Sequence, residues 1–285
     1  MYAVAGVTGR VGAATADGLL KRGQKVRVLV RDEATGEAWK ARRCDVAIVD
    51  LLDEPSMVKA LQGLAGVFLL LPTPPPGADY FVAQDVMTKS LAAAVSKSKV
   101  ASVAFLSSIG AQHPAGTGPI TALHRAELAL TGTAPSVTFV RAALALERWE
   151  PLLLGAMDSG TLPVFGNPHL AMPQIGAKDV GTLTAEAMEL HKPGPRVLEI
   201  AGASNWSAEE VAAALTSLLK QPIKAIEHPA DTEVAFHVAA GMAPMLAEAF
   251  AERSRAQLRG LLQFSHPHEV KRGTTSLFDA LSTLV

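Results

Sequence analysis

Six short apolar runs alternate with helix-like stretches along the first 141 residues, and that rhythm constrains the fold more than any single motif. The runs are Tyr2–Ala5, Lys25–Val30, Asp45–Val49, Gly66–Leu71, Ser102–Leu106 and Ser136–Val140. Helical patterns lie between them, to about Arg22, over Glu33–Arg42, from a start near Asp53-Glu54-Pro55, over Ala78–Lys97 and over Thr121–Leu130. Such spacings suit right-handed βαβ crossovers. They predict an α/β chain with a doubly wound parallel sheet of Rossmann type.

The first unit carries more detail. Tyr2–Ala5 runs straight into Gly6-Val7-Thr8-Gly9-Arg10-Val11-Gly12 and then a helix closed by Gly23. A glycine turn between strand and helix is where a nucleotide fingerprint has physical meaning. Gly6 can take the tight turn, Gly9 lets backbone approach a pyrophosphate, and Gly12 lets the helix lie close to the sheet. Phosphates would sit on the free N–H groups at the helix start. The spacing is G-x-x-G-x-x-G rather than G-x-G-x-x-G.

The next strand ends in Arg31, roughly 20 residues beyond the turn, where a dinucleotide fold meets the adenosine ribose. An acidic residue there suits the 2′-hydroxyl of NAD, and arginine suits the 2′-phosphate of NADP. Arg10 adds a second positive charge, so NADP(H) is expected over NAD(H), while Asp32, turned inward, would serve NAD. Asp50 follows the third strand and can accept from an adenine amino group or shape the turn before the next helix. The continuous apolar run at Val67–Leu71 reads as a buried parallel strand. It ends in Pro72-Thr73-Pro74-Pro75-Pro76-Gly77, a stiff loop that can roof a cofactor at the carboxyl edge of the sheet or simply connect.

Composition narrows the classes. Hydrophobic residues make up 49% of 285, ample for a core. The net charge of −1, with no zinc spacing and no basic helix, speaks against nucleic acid as a partner. The single cysteine, Cys44, rules out an internal disulfide and suits a reducing compartment. No apolar run is long enough for a membrane span, and the first strand begins at Tyr2 with no leader before it, so a cytoplasmic location is expected. No metal site is expected.

These motifs, together with Phe105-Leu106-Ser107-Ser108-Ile109-Gly110-Ala111, Thr138-Phe139-Val140-Arg141, Pro173–Val180 and Leu198–Gly202, make the chain resemble the NmrA-like group of atypical short-chain dehydrogenases/reductases. That group includes NADP-binding regulators and NADPH-dependent quinone reductases. The resemblance covers nearly the whole chain. It implies NADP on the turn formed by Gly6, Thr8, Gly9, Arg10, Val11 and Gly12, with Arg31 at the 2′-phosphate. It further implies Asp50 and Leu51 near adenine, and Leu71, Pro72 and Thr73 beside the nicotinamide half.

The acid–base pair of the wider superfamily is missing. Neither Tyr2 nor Tyr80 is followed four residues later by lysine, and neither lies on the helix after the fifth strand. The corresponding stretch reads Thr121-Ala122-Leu123-His124-Arg125-Ala126-Glu127. His124 titrates near neutrality, so it can donate a proton or hold the nicotinamide ribose, or it is a helix-surface histidine. Arg125 can hold an anion but cannot shuttle protons. Ser107 and Ser108 either point into the site or cap the next segment. A hydride acceptor needing little acid catalysis fits this inventory, and a quinone is such a small molecule.

Beyond Arg141 a smaller α+β substrate lobe is expected from about 142–178 and 203–285, with the NADP-binding domain taking 1–141 and about 179–202. Leu144–Met157 reads as helical, with Trp149 either lining the substrate pocket or packed in the core. Gly160–Pro173 reads as a turn-rich wall or lid. Helices are expected at Ser207–Lys220, with a capping box from Ser207 and Glu210, at Thr232–Gly241 and at Pro244 to about Leu258. Two functions fit: an NADPH-dependent oxidoreductase acting on quinones or similar acceptors, or a non-catalytic NADP-binding redox sensor that regulates a protein partner.

Overall fold

The computed structural model describes residues 1–75 and 77–285. Its first half runs β1 (Tyr2–Ala5), α1 (Arg10–Lys21), β2 (Val26–Val30), α2 (Glu33–Lys40), β3 (Asp45–Ile48), α3 (Glu54–Leu61), β4 (Gly66–Leu69), α4 (Tyr80–Ser98), β5 (Ser102–Ser108), α5 (Ile120–Leu130) and β6 (Ser136–Ala142). The second half adds β7 (Leu144–Ala145), a 3-10 turn at Leu146–Trp149, α6 (Glu150–Ser159), β8 (Thr161–Phe165), β9 (Met172–Ile175), α7 (Ala177–Met188) and β10 (Gly194–Ala201). It closes with β11 (Asn205–Trp206), α8 (Ala208–Leu219), β12 (Lys224–His228), α9 (Glu233–Ala239), α10 (Pro244–Leu258), β13 (Lys271–Arg272) and α11 (Leu277–Ser282).

Eight strands form the main sheet in the order β13-β10-β6-β5-β4-β1-β2-β3, and every neighbouring pair is parallel. Alternation along each strand feeds two separate cores. Ala3, Ala5, Val67 and Leu69 pack beneath α3, α4 and α5 with Leu61, Leu91 and Leu130. Tyr2, Val4 and Phe68 face the other way, against Ala16 and Leu19 of α1 and Ala185 and Met188 of α7. Both faces are therefore covered, which is why these strands are apolar throughout. The chain leaves β1 toward β2 and β3, then returns to place β4 on the opposite side of β1. The carboxyl ends of β1 and β4 thus flank the point where the winding reverses, the place where open α/β sheets bind ligands.

A third core joins three distant segments: Leu146, Trp149, Leu153 and Leu162; Trp206, Val211 and Leu215; and Ala280 with Leu281. Ser207 and Glu210 form the expected capping box at the start of α8. Several sequence expectations are corrected here. Leu144–Ala145 is a strand and Leu146–Trp149 a 3-10 turn, so the helix starts only at Glu150. The stretch 160–173 contains β8 and the start of β9 rather than turns alone. β8 pairs only with β12 and accommodates Pro163, as an edge strand can. Strands β12 and β13 and helix α11 have no counterpart in the sequence reading, and β13 returns to the edge of the main sheet beside β10.

Candidate functional site

The glycine turn is built as its sequence requires. Gly6 has φ +69°, a left-handed conformation that disfavours side chains. The N–H of Gly9 donates to the Gly6 carbonyl at 2.9 Å, tightening the turn. Gly9 is the N-cap of α1 and brings no side chain to the first-turn N–H groups, and that turn holds no acidic residue. Those groups are available to an anion. A Cβ on Gly12 would stand 2.2 Å from the Gly6 carbonyl oxygen, so only glycine lets α1 lie this close to β1.

Across the switch point, Leu70, Leu71, Pro72 and Thr73 form the opposite wall of a cavity of about 560 Å³ that begins at Gly6, Gly9, Arg10, Val11 and Gly12. Buried Gln84 donates from Nε2 to the Pro72 carbonyl at 3.0 Å and holds this loop in place. The proline loop reads from the sequence as a roof or a connector; Pro76 within it lies outside the described residues. Leu106, Ser107 and Ser108 supply the floor, and Leu144, Ala145, Glu147 and Ile175 the far end. Size and apolar lining are those of a small-molecule site.

Ser107 sits in β5 rather than after it. Its hydroxyl donates to Glu127 Oε1 at 2.6 Å, and Arg141 clasps the same carboxylate from Nε at 2.9 Å and Nη2 at 2.6 Å. All three are buried, so the floor is fixed by a satisfied ion pair. Glu147 accepts from the Ala177 N–H at 2.8 Å and so caps α7 at the far end.

The predicted residues divide into three groups. Gly6, Gly9, Arg10, Val11, Gly12, Leu71, Pro72, Thr73 and Ser107 come together around the cavity. Arg10, however, is engaged: its guanidinium makes a bidentate pair with Glu150 of α6 at 2.6 and 2.9 Å. A second group, Thr8, Arg31, Asp50 and Leu51, lies outside the cavity wall. Thr8 and Arg31 are exposed, and Arg31 has no ion-pair or side-chain hydrogen-bond partner among the described residues. Asp32 instead caps α2, accepting from the Thr35 N–H at 2.8 Å, and this bond holds its carboxyl below the ordinary value. Asp50 accepts from the Leu52 N–H at 2.9 Å within its own turn, and Leu51 packs partly onto the sheet core.

The third group lies off this cavity, which leaves each residue with the other of its two sequence readings. His124 is not part of the cavity wall: its Nδ1 bonds the Ala111 carbonyl at 2.8 Å, and its neighbours Ile120 and Leu123 face the cavity instead. Trp149 is buried in the third core and donates from Nε1 to Gln174 Oε1 at 2.8 Å, away from this cavity.

Sequence spacing set aside a residue that the fold brings in. Tyr80, the first residue of α4, lines the cavity beside Arg253 of α10. Burial raises the Tyr80 phenol above its ordinary value, opposed by a bond with Gln84 and by the Arg253 charge. Its cationic partner lies far down the chain, so no local motif could show the pair.

Comparison with known proteins agrees with this geometry. Residues 6–142 match the family model described as NAD(P)H-binding. No curated protein matches the sequence. Among solved structures, an NADPH-dependent quinone oxidoreductase from Escherichia coli, complexed with NADPH, superposes with a TM-score of 0.83 at 21% identity, covering 100% of this chain and 99% of that one. A triphenylmethane reductase from Citrobacter sp., complexed with NADP(H), gives 0.82 at 20% identity, covering 100% of both chains. A nucleoside-diphosphate-sugar epimerase from Staphylococcus aureus gives 0.76 at 20% identity, covering 99% of each. At these identities the likeness is one of fold. Among the described residues no helix is long and apolar enough to cross a membrane.

Proposed function

We propose that the protein is an NADPH-dependent oxidoreductase whose acceptor is a quinone or a similarly electron-poor small molecule, a reading supported by the match of residues 6–142 to the NAD(P)H-binding family model and by the fold likeness to an NADPH-dependent quinone oxidoreductase. One cavity carries this reading: it runs without interruption from the glycine turn to Tyr80 and to the apolar residues of the second lobe. The residues present fit a dinucleotide. Only glycine can occupy position 12, Gly9 is open at the mouth, and the first turn of α1 has no acid to repel a pyrophosphate.

Bound NADPH would supply a hydride. The protein's own residues would do the rest. The N-terminal N–H groups of α1 would hold the pyrophosphate. Arg31, exposed and unpaired, would take the 2′-phosphate, with Asp32 committed to its cap and so withdrawn from a ribose hydroxyl. Asp50 and Leu51 would border adenine, and Leu71, Pro72 and Thr73 the nicotinamide half. Ser107 would present its hydroxyl at the floor, held by Glu127. Tyr80 would be the phenolic proton donor at the cavity, its proton held more tightly by burial. Apolar walls would exclude water from the acceptor. An electron-poor ring asks little of the acid, since solvent can complete protonation.

The sensor reading has one observation in its favour. Thr121, at the place of the usual catalytic tyrosine, is buried and outside the cavity wall. The deciding experiment is NADPH oxidation by the purified protein against a panel of quinones, with NADH in parallel. Turnover preferring NADPH supports the reductase. Tight NADPH binding with no turnover on any acceptor refutes it and supports the sensor.

A further inference from the structure

A second cavity of about 440 Å³ lies in the second lobe between the 3-10 turn, β8, α9 and α10. It shares one lining residue, Arg253, with the dinucleotide cavity. Its walls are aromatic: Trp149, Phe165, Phe236 and Phe250 line it, with Phe165 and Phe236 tilted at 5.1 Å between ring centres. Flat, polarisable walls of this kind select aromatic ligands.

The charges are unusual for such a lining. Arg148 and Arg253 both face the cavity, with one carboxylate, Glu233. Each guanidinium lies over a ring, Arg148 over Trp149 at 4.8 Å and Arg253 over Phe250 at 4.5 Å. Ring stacking occupies the flat face of a guanidinium and leaves its N–H edge free. Neither edge has a hydrogen-bond or ion-pair partner among the described residues, and Arg253 Nε is buried without one. Glu233 is buried and does not pair with either arginine. Its Oε1 accepts from the Ser254 hydroxyl at 2.7 Å and faces His237 Nε2 at 3.4 Å, while its Oε2 has no partner. Two cations against one carboxylate leave one positive charge uncompensated. Burial accordingly pulls Arg148 down to about 9 and lowers Arg253 as well.

Burying donors without acceptors is costly, so a site that leaves them open is one that a ligand completes. We propose that this cavity binds a small aromatic monoanion, with its carboxylate between Arg148 and Arg253 and its ring among Phe165, Phe236 and Phe250. Planar forks of N–H donors match a carboxylate, and the net charge of the lining calls for one negative group. The site is distinct from the dinucleotide cavity and does not depend on the reductase reading.

Calorimetric titration with 2-naphthoate, and with 2-naphthamide as its neutral counterpart, tests this on the wild-type protein. Naphthoate should bind about tenfold tighter or more, as expected for charge-assisted bonds. Arg148→Met should abolish that preference, and Arg148 borders this cavity but not the dinucleotide cavity. Removing an uncompensated charge should leave the melting temperature equal or higher, so loss of binding without loss of stability supports the proposal. Equal binding of naphthoate and naphthamide, no binding of either, or a preference that survives in Arg148→Met overturns it. If Arg148→Met does not fold, the wild-type comparison decides alone.

Discussion

Gly12→Ala tests whether α1 is held against the turn by the absence of a side chain. The new Cβ would stand 2.2 Å from the Gly6 carbonyl oxygen, 2.4 Å from its carbon and 2.8 Å from the Ala5 carbonyl oxygen. All three are backbone atoms and cannot rotate away. Reaching ordinary contact at 3.4 Å requires the helix to retreat by about 1.2 Å. Overpacking of this kind costs about 3 kcal/mol at the upper end of its usual range. Alanine returns about 1 kcal/mol in helix propensity. The net loss of about 2 kcal/mol corresponds to a fall of about 4–8 °C in melting temperature. Gly9→Ala is the matched control. Its Cβ would meet only the Gly6 carbonyl oxygen, at 3.5 Å, and its φ of −97° suits alanine. The poorer N-cap costs about 0.5–1 kcal/mol, yet the methyl stands where a pyrophosphate must approach, and NADPH affinity should fall about tenfold or more, as for one lost charge-assisted bond. Thermal melts and NADPH titrations on both variants separate the two effects. A Gly12→Ala protein with wild-type melting temperature and affinity would refute the close-packing argument. A Gly9→Ala protein with unchanged affinity would remove the turn from the dinucleotide site.

Three further outcomes follow from named contacts. Arg31→Ala should weaken NADPH binding about 10–100-fold, the range of a lost charge-assisted bond, and leave NADH nearly unchanged; equal losses in paired titrations would refute the 2′-phosphate role. Tyr80→Phe should lower kcat if the phenol is the acid, by no more than about 100-fold because solvent can complete protonation, with NADPH affinity intact. Because the phenol sits above its ordinary value, wild-type kcat should stay flat through neutral pH, and a fall across pH 6–7 would point to a histidine instead. Arg141→Met strips a buried carboxylate of its partner and should cost about 3–5 kcal/mol in denaturant unfolding.

The main sheet was readable because its central strands β1 and β4 are buried on both faces and are written as continuous apolar runs, and because its first six strands recur at regular spacing between helical patterns. The chain beyond Ala142 was less so. Strands β7, β11 and β13 are two residues each, too short for any period to show. Its core joins segments around Leu146, Trp206 and Leu281 that only the fold brings into contact.

The same contrast divides the site. Gly6 to Gly12 and Leu71 to Thr73 were identifiable because their roles depend on backbone that is contiguous in sequence. Side chains followed a different rule: each polar group went to whichever partner satisfied it. His124 was claimed by the Ala111 carbonyl, Trp149 by Gln174, Asp32 by the Thr35 N–H, and Arg10 by Glu150. The sequence named these residues by their chemistry but could not show the partner, which in two cases lies more than twenty residues away. Residues left without a partner are therefore the informative ones. Arg31 was visible because its neighbourhood is local, at the end of β2. Arg148 and Arg253 were not, because their isolation depends on α9 and α10 closing over the 3-10 turn and leaving two guanidinium edges facing one cavity.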